Sequence, residues 1–208
     1  MAENKPGNPT AGSGSPATPV LGNPAVIGLA GFALTTFVLQ LHNLGLVGLA
    51  PVIWLGLVFG GSCQLIAGLM EFKTGNNFGF MAFTGYGAFW ISLVFLLSFG
   101  TSPLLGEIFP AFKMVGFDLG WFLVAWTIFT AILFLGAIRQ NTVLALVFLT
   151  LLLGFIGLDI REFAKSEIAG QFAAYDLIIC AALAMYLGAA TALKDTGISL
   201  PTGKAWIK

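Results

Sequence analysis

The stretch that opens Asn23-Pro24-Ala25-Val26-Ile27-Gly28-Leu29-Ala30-Gly31-Phe32 and runs through Thr35-Thr36 to His42-Asn43 decides the fold. From Pro24 to His42 it carries no acid, lysine or arginine. A helix that crosses a bilayer needs about 20 mostly apolar residues. Inside lipid the backbone must satisfy its own hydrogen bonds, which makes such a run a helix. The first run lies near 24–42, and five more of the same kind come after it, near 46–70, 77–98, 118–138, 141–160 and 168–192. The runs are continuous and lack the alternation of a transmembrane barrel. With 58% hydrophobic residues, 9% charged residues and a mean hydropathy of +0.95, the chain has more apolar surface than a soluble domain can bury. The expected fold is an all-α integral membrane protein, a bundle of six transmembrane helices.

Three regions are expected. Residues 1–22, rich in Pro, Gly, Ser, Thr and Ala, form a polar, disordered tail without the layout of a signal peptide. Residues 23–193 form the transmembrane domain, and 194–208 a second tail. Six spans put Lys5, Lys73, Arg139, Lys194, Lys204 and Lys208 on one side, against Lys113, Arg161 and Lys165 on the other. The positive-inside rule then places both termini in the cytoplasm, with the chain in the plasma membrane. A formal net charge of zero argues against nucleic acid as a partner. Cys63, Cys180 and the single histidine fall in separate helices, so no metal site or other cofactor is expected.

Asn23 is a strong helix cap, and Pro24 suits the first helical position. The free N–H groups and positive dipole end of that helix are suited to an anion, although a well-capped helix alone would look the same. Gly28, Phe32, Thr35/Thr36, Leu39 and Asn43 recur every three or four residues and share a face. In the second span a Gly60-Gly61 pair permits close helix approach, and Gln64 and Glu71 stand beyond it, seven residues apart. A glutamine in mid-membrane needs partners. Gln64 is either a donor to a substrate or one half of an interhelical hydrogen bond. Glu71 is either a solvated interfacial charge or a proton-linked carboxylate in a vestibule. Glycines flank Tyr86, which fits a movable gate as well as plain aromatic packing.

In order along the chain stand Asn23-Pro24-Ala25, Gly28-Leu29, Phe32, Thr35-Thr36, His42-Asn43, Gly60-Gly61, Gln64, Ala67-Gly68, Glu71, Lys73, Gly75-Asn76, Ala82-Phe83-Thr84, Tyr86-Gly87 and Phe89-Trp90. This series resembles the acetate uptake transporter family, which includes the bacterial succinate–acetate permeases and the fungal acetate/ammonia-export proteins. The similarity is collinear over 23–93 and continues more weakly to about residue 190, through Phe148, Leu151, Phe172 and Tyr186. It implies a homohexameric ring with a path for anions inside each protomer. It also implies an apolar constriction, which falls on Phe32, Tyr86 and Leu151. Two positions depart from the family pattern. Val26-Ile27 stands where the family has proline and leucine, and Asp176 where it has an apolar residue. Asp176 is expected near the outer surface or paired, with Arg161 and Lys165 as partners.

Acetate has one charged end and one methyl. The helix end at Asn23 and Pro24, the hydroxyls of Thr35 and Thr36, and Gln64 supply donors, with Glu71 beside them. Phe32, Tyr86 and Leu151 supply an apolar slot, and Glu71 and His42 are candidates for proton linkage. The expected function is transport of acetate and similar small monocarboxylates, with succinate at the upper limit, either proton-coupled or channel-like. The expected partners are the carboxylate, protons, membrane lipid and further copies of the chain.

The alternatives are weaker. An aquaporin-like channel needs a second Asn-Pro-Ala, and the only other Asn-Pro is Asn8-Pro9 in the tail. A formate/nitrite-type channel lacks support from these motifs. An enzyme would need a nucleophile with a base, or paired carboxylates, at one depth. A sensor or scaffold of the same fold would carry no flux.

Overall fold

The computed structural model describes residues 22–208, so the expected tail 1–22 lies outside the described residues except for Gly22. The first helix, α1, is Ala25–Asn43. The second span is Ala50–Lys73. It consists of α2 (Ala50–Leu57), a π-helical turn (Val58–Cys63) and α3 (Gln64–Lys73). Next come α4 (Asn77–Gly100) and a short α5 (Pro103–Ile108). Three long helices complete the set: α6 (Asp118–Ala137), α7 (Thr142–Ala164) and α8 (Glu167–Leu193). Six helical segments are long and apolar enough to cross a membrane, and no strand occurs among the described residues.

The boundaries reflect local chemistry. The second span starts at Ala50 rather than near residue 46, because Gly45 turns left-handed at φ 75° and Pro51 occupies the first turn of α2. Asn76, Asn141 and Ser166 cap α4, α7 and α8, each accepting the N–H three residues on. The sequence pattern predicts an unbroken second helix, but its middle winds as a π turn at Gly60-Gly61. There Ser62 Oγ donates to the Leu57 carbonyl at 2.8 Å, five residues back. A side chain on Gly60 would lie 2.6 Å from Thr35 Oγ1, so the bare backbone is what lets α1 and the turn touch. The wider turn also rotates the face that α3 presents. Gln64 and Glu71, both on α3, point inward and are 1% and 3% exposed.

Around the bundle, α6 packs on α7, α7 on α8, α8 on α1, α1 on the second span, and the second span on α4. A lighter α4–α6 contact closes the ring. Aromatic and aliphatic side chains fill its centre, among them Phe32, Tyr86, Phe89, Trp90, Phe148 and Leu151. Large apolar side chains also cover the outside, including Trp54, Trp121, Ile132 and Phe172, as a lipid-facing surface requires.

The segment after α8, expected as a tail, is docked on the bundle. Trp206 N–H donates to the Ile138 carbonyl at 2.9 Å, and Val143 N–H to that of Thr202 at 3.0 Å. Thr142 Oγ1 donates to the Lys204 carbonyl at 2.7 Å, and Tyr186 Oη to that of Pro201 at 2.8 Å. The segment thus straps the α6–α7 turn at the end of the bundle where α1 begins.

Candidate functional site

A cavity of about 280 Å³ opens at that same end, among α1, α3, α4, α7 and α8. Its mouth carries Asn23, Asn76, Gln140, Asn141 and Thr191. Glu71 sits just inside it against Asn76, and Gln64 lies about two turns further along α3, among a mostly aromatic and aliphatic wall. Phe32, Tyr86 and Leu151 all line it and are nearly buried, at 6%, 3% and 4% exposure. Phe32 and Tyr86 meet with ring centroids 5.8 Å apart, and Phe148 stands 6.2 Å from Tyr86. Phe32 lies about 10 Å along α1 from its first residue, which puts this apolar wall well below the mouth.

The polar part of the cavity is built by a short local circuit. Asn76 caps α4 through Oδ1 and donates from Nδ2 to Glu71 Oε2 at 2.8 Å. Thr74 Oγ1 adds a longer contact to the same oxygen at 3.4 Å. Glu71 Oε1 is buried and has no protein partner, as is Gln64 Oε1. A side chain at Gly79 would lie 2.8 Å from Glu71 Cδ, so glycine there gives the carboxylate its space. No lysine or arginine lines the cavity.

The other expected site residues divide. Asn23 lines the mouth, but α1 begins at Ala25, one residue later than expected, with Pro24 in the cap position. The Asn23 side chain accepts the Ala25 N–H at 2.9 Å and its carbonyl the Val26 N–H at 3.3 Å. The helix end is therefore partly satisfied from within, and Pro24 is not on the cavity wall. Thr35 and Thr36 are buried off the wall, because the cavity closes at the Phe32–Tyr86 contact and they stand one turn beyond it. Thr35 Oγ1 donates to the Leu55 carbonyl at 3.4 Å, and Thr36 Oγ1 has no partner. His42 lies about 15 Å beyond Phe32, its Nδ1 3.1 Å from the Val47 carbonyl oxygen.

The pairing expected for Asp176 does not form. Asp176 is half-buried within α8, Oδ2 has no partner, and neither cation reaches it. Arg161 and Lys165 both approach Glu162 instead, each at 3.8 Å. Sequence reasoning missed Asn76 and Asn141 as cavity residues, and Thr130 beside Tyr86. The two asparagines had a signal, since each stands just before an apolar run in a capping position. Thr130 had none.

Six membrane-length helices around a cation-free cavity with a polar mouth and an aromatic and aliphatic wall define a multi-pass membrane protein of the transport class. A family model described as the GPR1/FUN34/yaaH family matches residues 6–202, and the chain belongs to that family. Over 177 residues it is 40% identical to the succinate-acetate/proton symporter SatP of Escherichia coli strain K12, covering 84% of this chain and 90% of that one. Acetate permease A of Emericella nidulans is 37% identical over 155 residues, 72% of this chain and 52% of that longer protein. The solved structure of the bacterial acetate channel SatP superposes with a TM-score of 0.81 at 37% identity, covering 88% of this chain and all of that chain. Family members are transporters and channels rather than enzymes.

Proposed function

We propose that the protein moves acetate and similar small monocarboxylates across the cytoplasmic membrane, with proton movement linked to the flux. The observation that carries this is the make-up of the cavity wall: amides, one buried carboxylate and an apolar floor, with no cation. A bare carboxylate is costly to bury in such a place. Beside Glu71 it would also meet a second carboxyl group, with no lysine or arginine on the wall to offset it. Acetate that reaches the Phe32–Tyr86–Leu151 wall is therefore favoured as the neutral acid, with Glu71 as the candidate for proton linkage. Asn23, Gln64 and Asn76 handle the polar end, and Phe32, Tyr86 and Leu151 form the constriction that the methyl must pass. The relatives named above as an acetate/proton symporter and an acetate channel support this substrate class.

The excess of lysine and arginine at the cavity end supports cytoplasmic termini. The apolar outer faces of α2, α6 and α8 are suited to lipid and to further copies in a homohexameric ring. The test is Glu71→Gln in proteoliposomes. The wild type accumulates labelled acetate under an inward proton gradient. The variant loses that accumulation relative to its uptake without a gradient. An unchanged response to the gradient would remove Glu71 from the mechanism.

A further inference from the structure

Tyr86 is held unusually firmly for a side chain at a constriction. A side chain added at Gly85 would collide with the Phe129 ring, and one at Gly87 would lie 2.6 Å from the Leu65 backbone nitrogen. Its backbone is therefore closely packed on both sides, which leaves rotation of its own side chain as the simplest way to move the ring. That ring is enclosed by Phe32, Trp126, Phe129 and Phe148. Its hydroxyl lies 2.9 Å from Thr130 Oγ1, and either oxygen can donate. Thr130, on α6, is wholly buried at 0% exposure. This is the one side-chain hydrogen bond between α4 and α6 among the described residues.

Thr150 and Thr191 each donate to the carbonyl four residues back in their own helix. Thr127 reaches both the Leu123 carbonyl at 3.1 Å and, across on α7, Asp159 Oδ2 at 2.7 Å. Thr130 reaches across to another helix, and α6 contributes no residue to the cavity wall. Any rotation that swings the Tyr86 ring out of the path must break this bond in an apolar surrounding, where a lost partner is felt in full.

We propose that Thr130 is a positioning residue for transport: its hydroxyl latches Tyr86 in the narrowing orientation and so sets which acids pass. The proposal rests on the constriction role given to Tyr86. A single buried hydrogen bond shifts a two-state balance by about five- to tenfold. The latch therefore favours the narrow state without locking it.

The experiment measures uptake of labelled acetate and labelled butyrate into proteoliposomes holding Thr130→Val, Thr130→Ser, Tyr86→Phe, Tyr86→Ala or the double variant Thr130→Val/Tyr86→Phe. Thr130→Val keeps the shape and removes the hydroxyl, and Tyr86→Phe removes the other half of the bond. Each is expected to raise the butyrate-to-acetate ratio about five- to tenfold. The double variant should do no more than either single change, because both remove one bond. Thr130→Ser keeps the wild-type ratio. A structural role alone would lower both fluxes together and leave the ratio unmoved. If Tyr86→Ala changes the ratio and neither Thr130→Val nor Tyr86→Phe does, the latch is wrong and the constriction stands. If Tyr86→Ala leaves the ratio unchanged, the constriction itself is wrong and the latch falls with it. Additive effects in the double variant would also overturn the latch.

Discussion

Asn76 does two jobs with two atoms, and they can be separated. Its Oδ1 accepts the Gly79 N–H at 3.1 Å and caps α4. Its Nδ2 donates to Glu71 Oε2 at 2.8 Å, which leaves only the 3.4 Å contact from Thr74 if it is lost. Asn76→Ala removes both. Losing the cap costs about 1 kcal/mol. Losing the hydrogen bond to a buried carboxylate costs roughly 1.5–3 kcal/mol. Asn76→Asp keeps the cap, since aspartate caps as well as asparagine, but sets a second carboxylate against Glu71. The added carboxylate disfavours ionisation of both acids at once. The assay pairs thermal unfolding in detergent with acetate uptake in proteoliposomes across a pH series. Asn76→Ala is expected to lower stability by roughly 2.5–4 kcal/mol. Asn76→Asp is expected to alter the pH profile of uptake even where the helix remains capped. If Asn76→Asp matches the wild type in both stability and pH profile, the Glu71–Asn76 contact has no bearing on transport.

The same geometry sets further outcomes. Phe32→Ala or Leu151→Ala widens the apolar floor, and uptake of butyrate relative to acetate is expected to rise about tenfold, as pocket discrimination by size allows; competition assays check this. Gln64→Leu removes a buried amide from the wall, and the KM for acetate is expected to rise about tenfold while the elution on size exclusion matches that of the wild type. Gly60→Leu drives a side chain into Thr35 and is expected to lower the melting temperature sharply, whereas Gly22→Leu, with open space around it, leaves the temperature unchanged.

The six spans were legible because membrane insertion depends on the length and polarity of each run, and both are local properties. Gln64 and Glu71 were legible as oddities, polar residues where apolar ones belong. Phe32, Tyr86 and Leu151 became a group only through resemblance, since no spacing in one helix tells what faces it across a bundle. Thr35 and Thr36 show the limit of the face argument. They fall on the expected stripe of α1, yet the cavity stops at Phe32 before it reaches them. The π turn at Gly60-Gly61 depends on how closely α1 approaches, a tertiary fact that a run of small residues permits but does not dictate. The docked segment after α8 was illegible for a similar reason. Apart from the bond between Tyr186 and Pro201, the hydrogen bonds that strap it down go to the α6–α7 turn, some sixty residues away in sequence. Asp176 was misjudged because cations near in sequence were taken as partners. In the fold both are drawn to Glu162 on their own helix.

The central claim is that a small carboxylic acid passes through this cavity together with a proton. The most direct test is labelled acetate uptake into proteoliposomes at matched and at inward-acid pH, with protein-free vesicles alongside. Saturable uptake above the protein-free level, driven to accumulation by the proton gradient, is the predicted result. Folded protein that adds no flux to that of bare vesicles under either condition would contradict the account.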